Sequence, residues 1–156
     1  MTISVTIELA YNFTVHASAQ EAFDLLSDIP TCASFFPNLD QLVDLGEATY
    51  RWEMEKISVA QVELQTLYAC KYVADKVQQT IVWTPVEGEG NALVSGEWAV
   101  GKKNQATHIA LQLTATLELP LPGFMSGMVT PVVEKKFTKL IEKYLVNLTA
   151  RLGGEV

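Results

Sequence analysis

The sequence predicts an α+β fold: a seven-stranded antiparallel sheet, two short helices after the first strand, and one long C-terminal helix. Three observations carry this expectation. Apolar and polar residues alternate strictly from Ile3 to Val15 and again from Thr107 to Leu119. Shorter alternating runs lie between these two, joined by turn-like segments with no helical pattern among them. From Met125 onward the apolar residues recur at every third and fourth position. Period two marks strands with one buried face, and the longer period marks a helix with an apolar stripe.

The first strand places Ile3, Val5, Ile7, Leu9, Tyr11, Phe13 and Val15 on one side. Thr2, Ser4, Thr6, Glu8, Asn12 and Thr14 lie on the other, with Ala10 its one apolar member. The period then changes. Ser18 and Glu21 have capping-box spacing, and Ala22, Phe23, Leu25 and Leu26 supply an apolar stripe. Pro30 stops this helix near Asp28 and can open a second, expected over residues 31–36. Pro37 ends it and leaves Phe35 and Phe36 as a wedge between helices and sheet. Strands are then expected over 39–45, 50–55, 62–72, 79–86 and 92–100. Turns at Gly46, Glu87–Asn91 and Gly101–Asn104 separate several of them. Pro120-Leu-Pro-Gly123 closes the sheet. In the final helix Pro131 is either the first residue or an internal kink, and Gly153-Gly154 ends it.

At 156 residues the chain is expected to fold as one domain, 1–156, able to bury roughly 70% of its unfolded surface. Eleven Lys and Arg against 18 Asp and Glu give a net charge of −7. Lys135, Lys136, Lys139 and Lys143 share their helix with Glu134 and Glu142, which reads as a solvated face. A nucleic-acid partner is therefore not expected. Cys32 and Cys70 sit among apolar residues and read as reduced, buried thiols. No apolar run has membrane-helix length, and a soluble cytoplasmic protein is expected.

The element order resembles the START-like, or SRPBCC, superfamily with its helix-grip fold. The resemblance rests on the strand Ile3–Val15, the stretch Ala19-Gln-Glu-Ala-Phe-Asp-Leu-Leu-Ser-Asp28, Pro30, the run Phe35-Phe36-Pro37-Asn38-Leu39 and the helix Met125–Leu152. It is nearest to three branches: the polyketide cyclase/dehydrase and lipid transport proteins, the G-subunit group of carbon monoxide dehydrogenase, and the coenzyme Q-binding proteins. The resemblance implies a curved sheet gripping the long helix, with a cavity between them. Physics supports the cover: one helix about 10–12 Å across is the only large one for the apolar face, and the concavity it cannot fill is either packed by large side chains or left as a pocket.

No catalytic, metal or cofactor motif stands out. His16 and His108 read as surface residues, and no HExxH, GxSxG or P-loop occurs. Aromatic and methionine residues are the stronger signal. Phe36, Tyr50, Trp52, Met54, Tyr68, Trp83, Trp98, Leu111, Phe124, Met125, Met128 and Val132 are the expected ligand-binding set. Thr66, Thr107 and tyrosine hydroxyls could orient a guest, and residues 121–128 could gate it. The function expected first is binding or transport of a lipid, isoprenoid quinone or polyketide-like compound. An aromatase/cyclase using Tyr68 or Tyr50 as proton donor, or an assembly factor for a partner enzyme as in the G-subunit group, is the alternative. Transient contact with a membrane or partner protein stays open.

Overall fold

A computed structural model describes residues 3–59 and 61–156. Thr2 and the direction of the Val62 side chain lie outside the described residues. The first strand, β1 (Ile3–Val15), pairs antiparallel with β9 (Ala106–Leu119) along its whole length, from Ile3 opposite Leu119 to Val15 opposite Thr107. Between them in sequence come β2 (Leu39–Gly46), β3 (Thr49–Met54), β6 (Leu67–Asp75), β7 (Thr80–Val86) and β8 (Ala92–Lys103). The seven-stranded sheet has the order β1-β9-β8-β7-β6-β3-β2. From β6 through β9, chain neighbours are sheet neighbours, as short turns require.

The first helix, α1 (Ala19–Ser27), begins as its capping pattern predicts: the Glu21 N–H donates to Ser18 Oγ at 3.1 Å. Its inward stripe is Ala22, Phe23, Leu25 and Leu26, all buried. Asp28 closes α1 and caps α2 (Ile29–Ala33), where Pro30 occupies the first turn. This second helix is shorter and earlier than expected, because the cap is Asp28, three residues before Thr31. Phe36 is buried and Phe35 half-buried in the turn that follows.

Another sequence expectation also fails. The run 62–72 is not a single strand. Val62–Leu64 forms β5, which pairs only with β4 (Ile57–Val59) in a separate two-stranded sheet. Asn91 occupies the break: its Nδ2 donates to the Gln65 carbonyl at 2.7 Å, and its Oδ1 accepts from the Leu67 N–H at 2.9 Å. Side-chain amide bonds replace ladder bonds at that point.

The long helix, α3 (Ser126–Arg151), follows a 3₁₀ turn over Gly123–Met125 and contains Pro131 in its second turn. Its buried residues are Val129, Val133, Ile141, Tyr144, Leu145 and Leu148. Gly153 and Gly154 then take positive φ values of 88° and 93°, a backbone conformation that favours glycine. They return the chain to β1, where the Ala17 N–H donates to the Leu152 carbonyl at 2.9 Å. The Asn147 side chain donates to the Phe35 carbonyl at 2.8 Å and ties α3 to the turn after α2.

Candidate functional site

Alternation aims Trp52 on β3, Tyr68 and Tyr72 on β6, Trp83 on β7 and Trp98 on β8 into the space beneath α3. Phe36 enters from the α2 turn and Tyr144 from α3. Their rings contact in sequence: Trp52 with Phe36 at 5.8 Å, Phe36 with Tyr144 at 5.0 Å, Tyr144 with Trp98 at 6.3 Å. The series continues from Trp98 to Trp83 at 6.3 Å and from Trp83 to Tyr72 at 5.9 Å. A hydrogen bond closes the circle, with Trp52 Nε1 donating to Tyr72 Oη at 2.9 Å. Gly96 makes room for it: a β-carbon there would lie 2.4 Å from the Trp83 ring and 2.5 Å from the Gln112 carbonyl.

A cavity of about 50 Å³ remains among these rings. One water occupies at least ~10–15 Å³, so the cavity has room for more than one. The remaining lining comes from Leu26, Ile29 and Cys32 below, Val94, Leu111 and Leu113 on the sheet, and Phe137 and Ile141 on α3. Only Tyr72 and Phe137 among the lining residues are half-buried; the others are buried. These two are the lining residues most open to solvent.

The polar atoms of the wall are neutral. Cys32 Sγ lies 2.7 Å from Tyr144 Oη. Desolvation pushes the Cys32 thiol up to about 12, with the Tyr144 hydrogen bond opposing and the Asp28 charge adding to the rise. Burial also raises Tyr68, Tyr72 and Tyr144 well above the ordinary phenol value. No Asp, Glu, His, Lys or Arg lines the cavity, and no metal-ligating cluster occurs among the described residues.

Of the expected ligand-binding residues, Phe36, Trp52, Tyr68, Trp83, Trp98 and Leu111 line the cavity. Tyr50 does not; it is half-buried, with its ring 6.1 Å from the ring of Tyr72. Met54 is buried outside the lining, and Met125 is half-buried against the core. Phe124, Met128 and Val132 face outward, with 87%, 58% and 39% exposure. The helix period explains the correction. Val129 and Val133 form the buried line, and Met128 and Val132 each precede one of them, roughly 100° round the helix. Thr107 is also spent elsewhere: its hydroxyl donates to the Ala17 carbonyl. The residues missed, Tyr72, Phe137, Ile141 and Tyr144 above all, belong to apolar periodic sets. Their spacing placed them in the core without distinguishing core from cavity.

A long helix laid over one face of a seven-stranded antiparallel sheet, with an aromatic cavity beneath it, defines a helix-grip protein. The solved structures it is similar to make the class specific. A START superfamily protein from Mycobacterium smegmatis aligns with a TM-score of 0.64 at 17% identity, covering 93% of this chain and 96% of that one. A Thermus thermophilus protein aligns with a TM-score of 0.67 at 18% identity, covering 93% and 96%. The Zhui aromatase/cyclase from Streptomyces sp. R1128 aligns with a TM-score of 0.55 at 19% identity, covering 91% and 88%. The chain has the START-like fold. No protein-family model matches the sequence, and no curated protein matches it. Among the described residues, no helix is long and apolar enough to cross a membrane.

Proposed function

We propose that this protein binds a neutral hydrophobic small molecule between sheet and α3, as a carrier or binding protein for a lipid, isoprenoid quinone or polyketide-like compound. The observation that carries the reading is the ring-lined cavity whose polar groups all stay uncharged near neutral pH. An apolar guest loses little on entering such a site, and a charged one would be stranded. Drug-sized ligands occupy pockets of about 300–1,000 Å³, so a large guest needs the wall to open, and Tyr72 and Phe137 are its least buried members. One ring or chain end would sit inside, with the remainder outside the present cavity. The two free thiols suit the reducing cytoplasm.

The fold is shared with a structure described as an aromatase/cyclase, which keeps a cyclase in view with Tyr68 as proton donor. Such chemistry also needs a general base, and no carboxylate or imidazole lines the cavity. Binding is therefore the better-supported reading. Organic extraction of protein purified from its host, followed by mass spectrometry, should release an apolar compound at near-stoichiometric yield. A blank extract, with no change in tryptophan fluorescence on adding lipids, quinones or polyaromatic ketones, would overturn the proposal.

A further inference from the structure

The three cavity tyrosines differ in one respect. Tyr144 is paired with Cys32, and Tyr72 accepts from Trp52. Tyr68 Oη has no hydrogen-bond partner among the described residues, although Tyr68 is only 6% exposed. The oxygen is not sealed in protein either, since every described side-chain N or O without accessible surface has a partner. It borders open space, and the space Tyr68 lines is the cavity. The indole N–H groups of Trp83 and Trp98, 6% and 4% exposed, likewise have no acceptor among the described residues. Upwards of about 90% of buried polar groups are normally paired, so side chains this buried with unpaired polar atoms stand out. Three groups able to donate, with no partner among the described residues, therefore stand on the wall of one cavity, open to an occupant.

The wall restricts what that occupant is. The two indole N–H groups can only donate, and the Tyr68 hydroxyl can donate as well as accept, so an acceptor on the guest suits all three. No charged side chain lines the cavity, so the acceptor is uncharged. Trp52 stacks on Tyr68 at 5.9 Å and 11°, which fixes the plane of the phenol ring and leaves its hydroxyl at a defined edge of the cavity. Resting on the binding reading above, we infer that Tyr68 is the polar anchor of the site. Its hydroxyl donates to a carbonyl-type oxygen of a neutral ligand, whose apolar body lies against the aromatic wall.

The test compares cyclopentanone with methylenecyclopentane, which share a shape and differ in C=O against C=CH₂. Each is titrated by ligand-detected NMR into the wild type and into Tyr68→Phe. Loss of one hydrogen bond should weaken the ketone about fivefold in the variant and leave the alkene within about twofold. Because Tyr68 Oη has no partner to lose among the described residues, the variant should keep the wild-type melting temperature. Equal effects on both probes, no effect on the ketone, or a melting temperature several degrees lower would each overturn the anchor while leaving cavity binding intact. Failure of the wild type to bind either probe would overturn the binding reading and the anchor with it.

Discussion

Along the first part of the β1–β9 ladder, from Ile3 to Ile7, the inward residues are Ile3, Val5, Ile7, Ala115, Leu117 and Leu119, each at most 5% exposed. Where β3, β6 and β7 meet, they are Trp52, Tyr68, Cys70, Tyr72, Ile81 and Trp83. Both regions obey the same alternation and lie in the same core cluster. Only the second leaves a void. Branched aliphatic chains interdigitate at several rotamers, whereas rings are rigid plates. Here neighbouring rings around the cavity meet at angles of 38° to 75° along most of the circle and leave the space between them unfilled. Alternation decides which face is buried, and side-chain shape decides whether the buried face leaves room.

The largest test of that contrast uses two inward residues of one strand. Ile109 is 0% exposed and lies away from the cavity, and Leu111, two residues on, lines it. Ile109→Ala should cost about 2–5 kcal/mol in urea unfolding at constant m-value. Leu111→Ala should cost about 2 kcal/mol, the low end of that range, because a side chain beside a void has fewer contacts to lose. Equal losses would break the comparison. A second test adds volume instead. Val94 and Ala115 are partners across β8 and β9, and only Val94 lines the cavity. Ala115→Leu should cost about 1–3 kcal/mol, and Val94→Leu less than about 1 kcal/mol. The Val94 variant should also bind the cyclic probes more weakly, since its added carbon takes up cavity space.

A smaller effect is expected where the polar arrangements of two cavity tyrosines differ. Tyr144→Phe removes a hydroxyl that has a partner, Cys32 Sγ. It should lower stability by about 1 kcal/mol, in contrast to Tyr68→Phe. A loss of similar size in both would show that the two hydroxyls are equally engaged.

The fold was legible because its signals are local. The period-two runs of β1 and β9, the Ser18–Glu21 cap and Pro30 each act within a few residues of themselves. The β5–β6 break was not, since Val62 to Tyr72 keeps its parity through Gln65 and Thr66. The residue that holds the break, Asn91, lies 24 residues beyond Leu67. The sheet's share of the cavity was legible for the same reason as the strands: ring residues at inward positions. The helix's share was not. Choosing Met128 and Val132 over Phe137, Ile141 and Tyr144 required knowing which arc of α3 faces the sheet, and an apolar stripe that includes exposed members blurs that arc. Whether a buried ring packs or lines a void depends on its neighbours' shapes across the sheet, which no single-strand pattern contains.

The smallest effect concerns the thiols, and it reports on the void itself. Cys32 lines the cavity and Cys70 does not. Cys70 Sγ donates to the Val94 carbonyl at 3.3 Å, and both thiols are pushed up to about 12, chiefly by burial. Below an ordinary thiol value near 9, each is protonated whether the chain is folded or not, and contributes no pH dependence. Above it, the unfolded chain releases a proton that the folded chain keeps, so stability falls as pH rises and the contribution is lost through about 12. By pH 10 each thiol should account for about 1 kcal/mol of that decline. Urea midpoints at pH 8 and pH 10 for wild type, Cys32→Ser and Cys70→Ser isolate the two, because tyrosine contributions cancel in the differences. A dry cavity shields both sulfurs alike, and the two variants should flatten the alkaline decline equally. Water in the cavity would solvate the Cys32 thiolate, and Cys32→Ser would then flatten the decline less than Cys70→Ser.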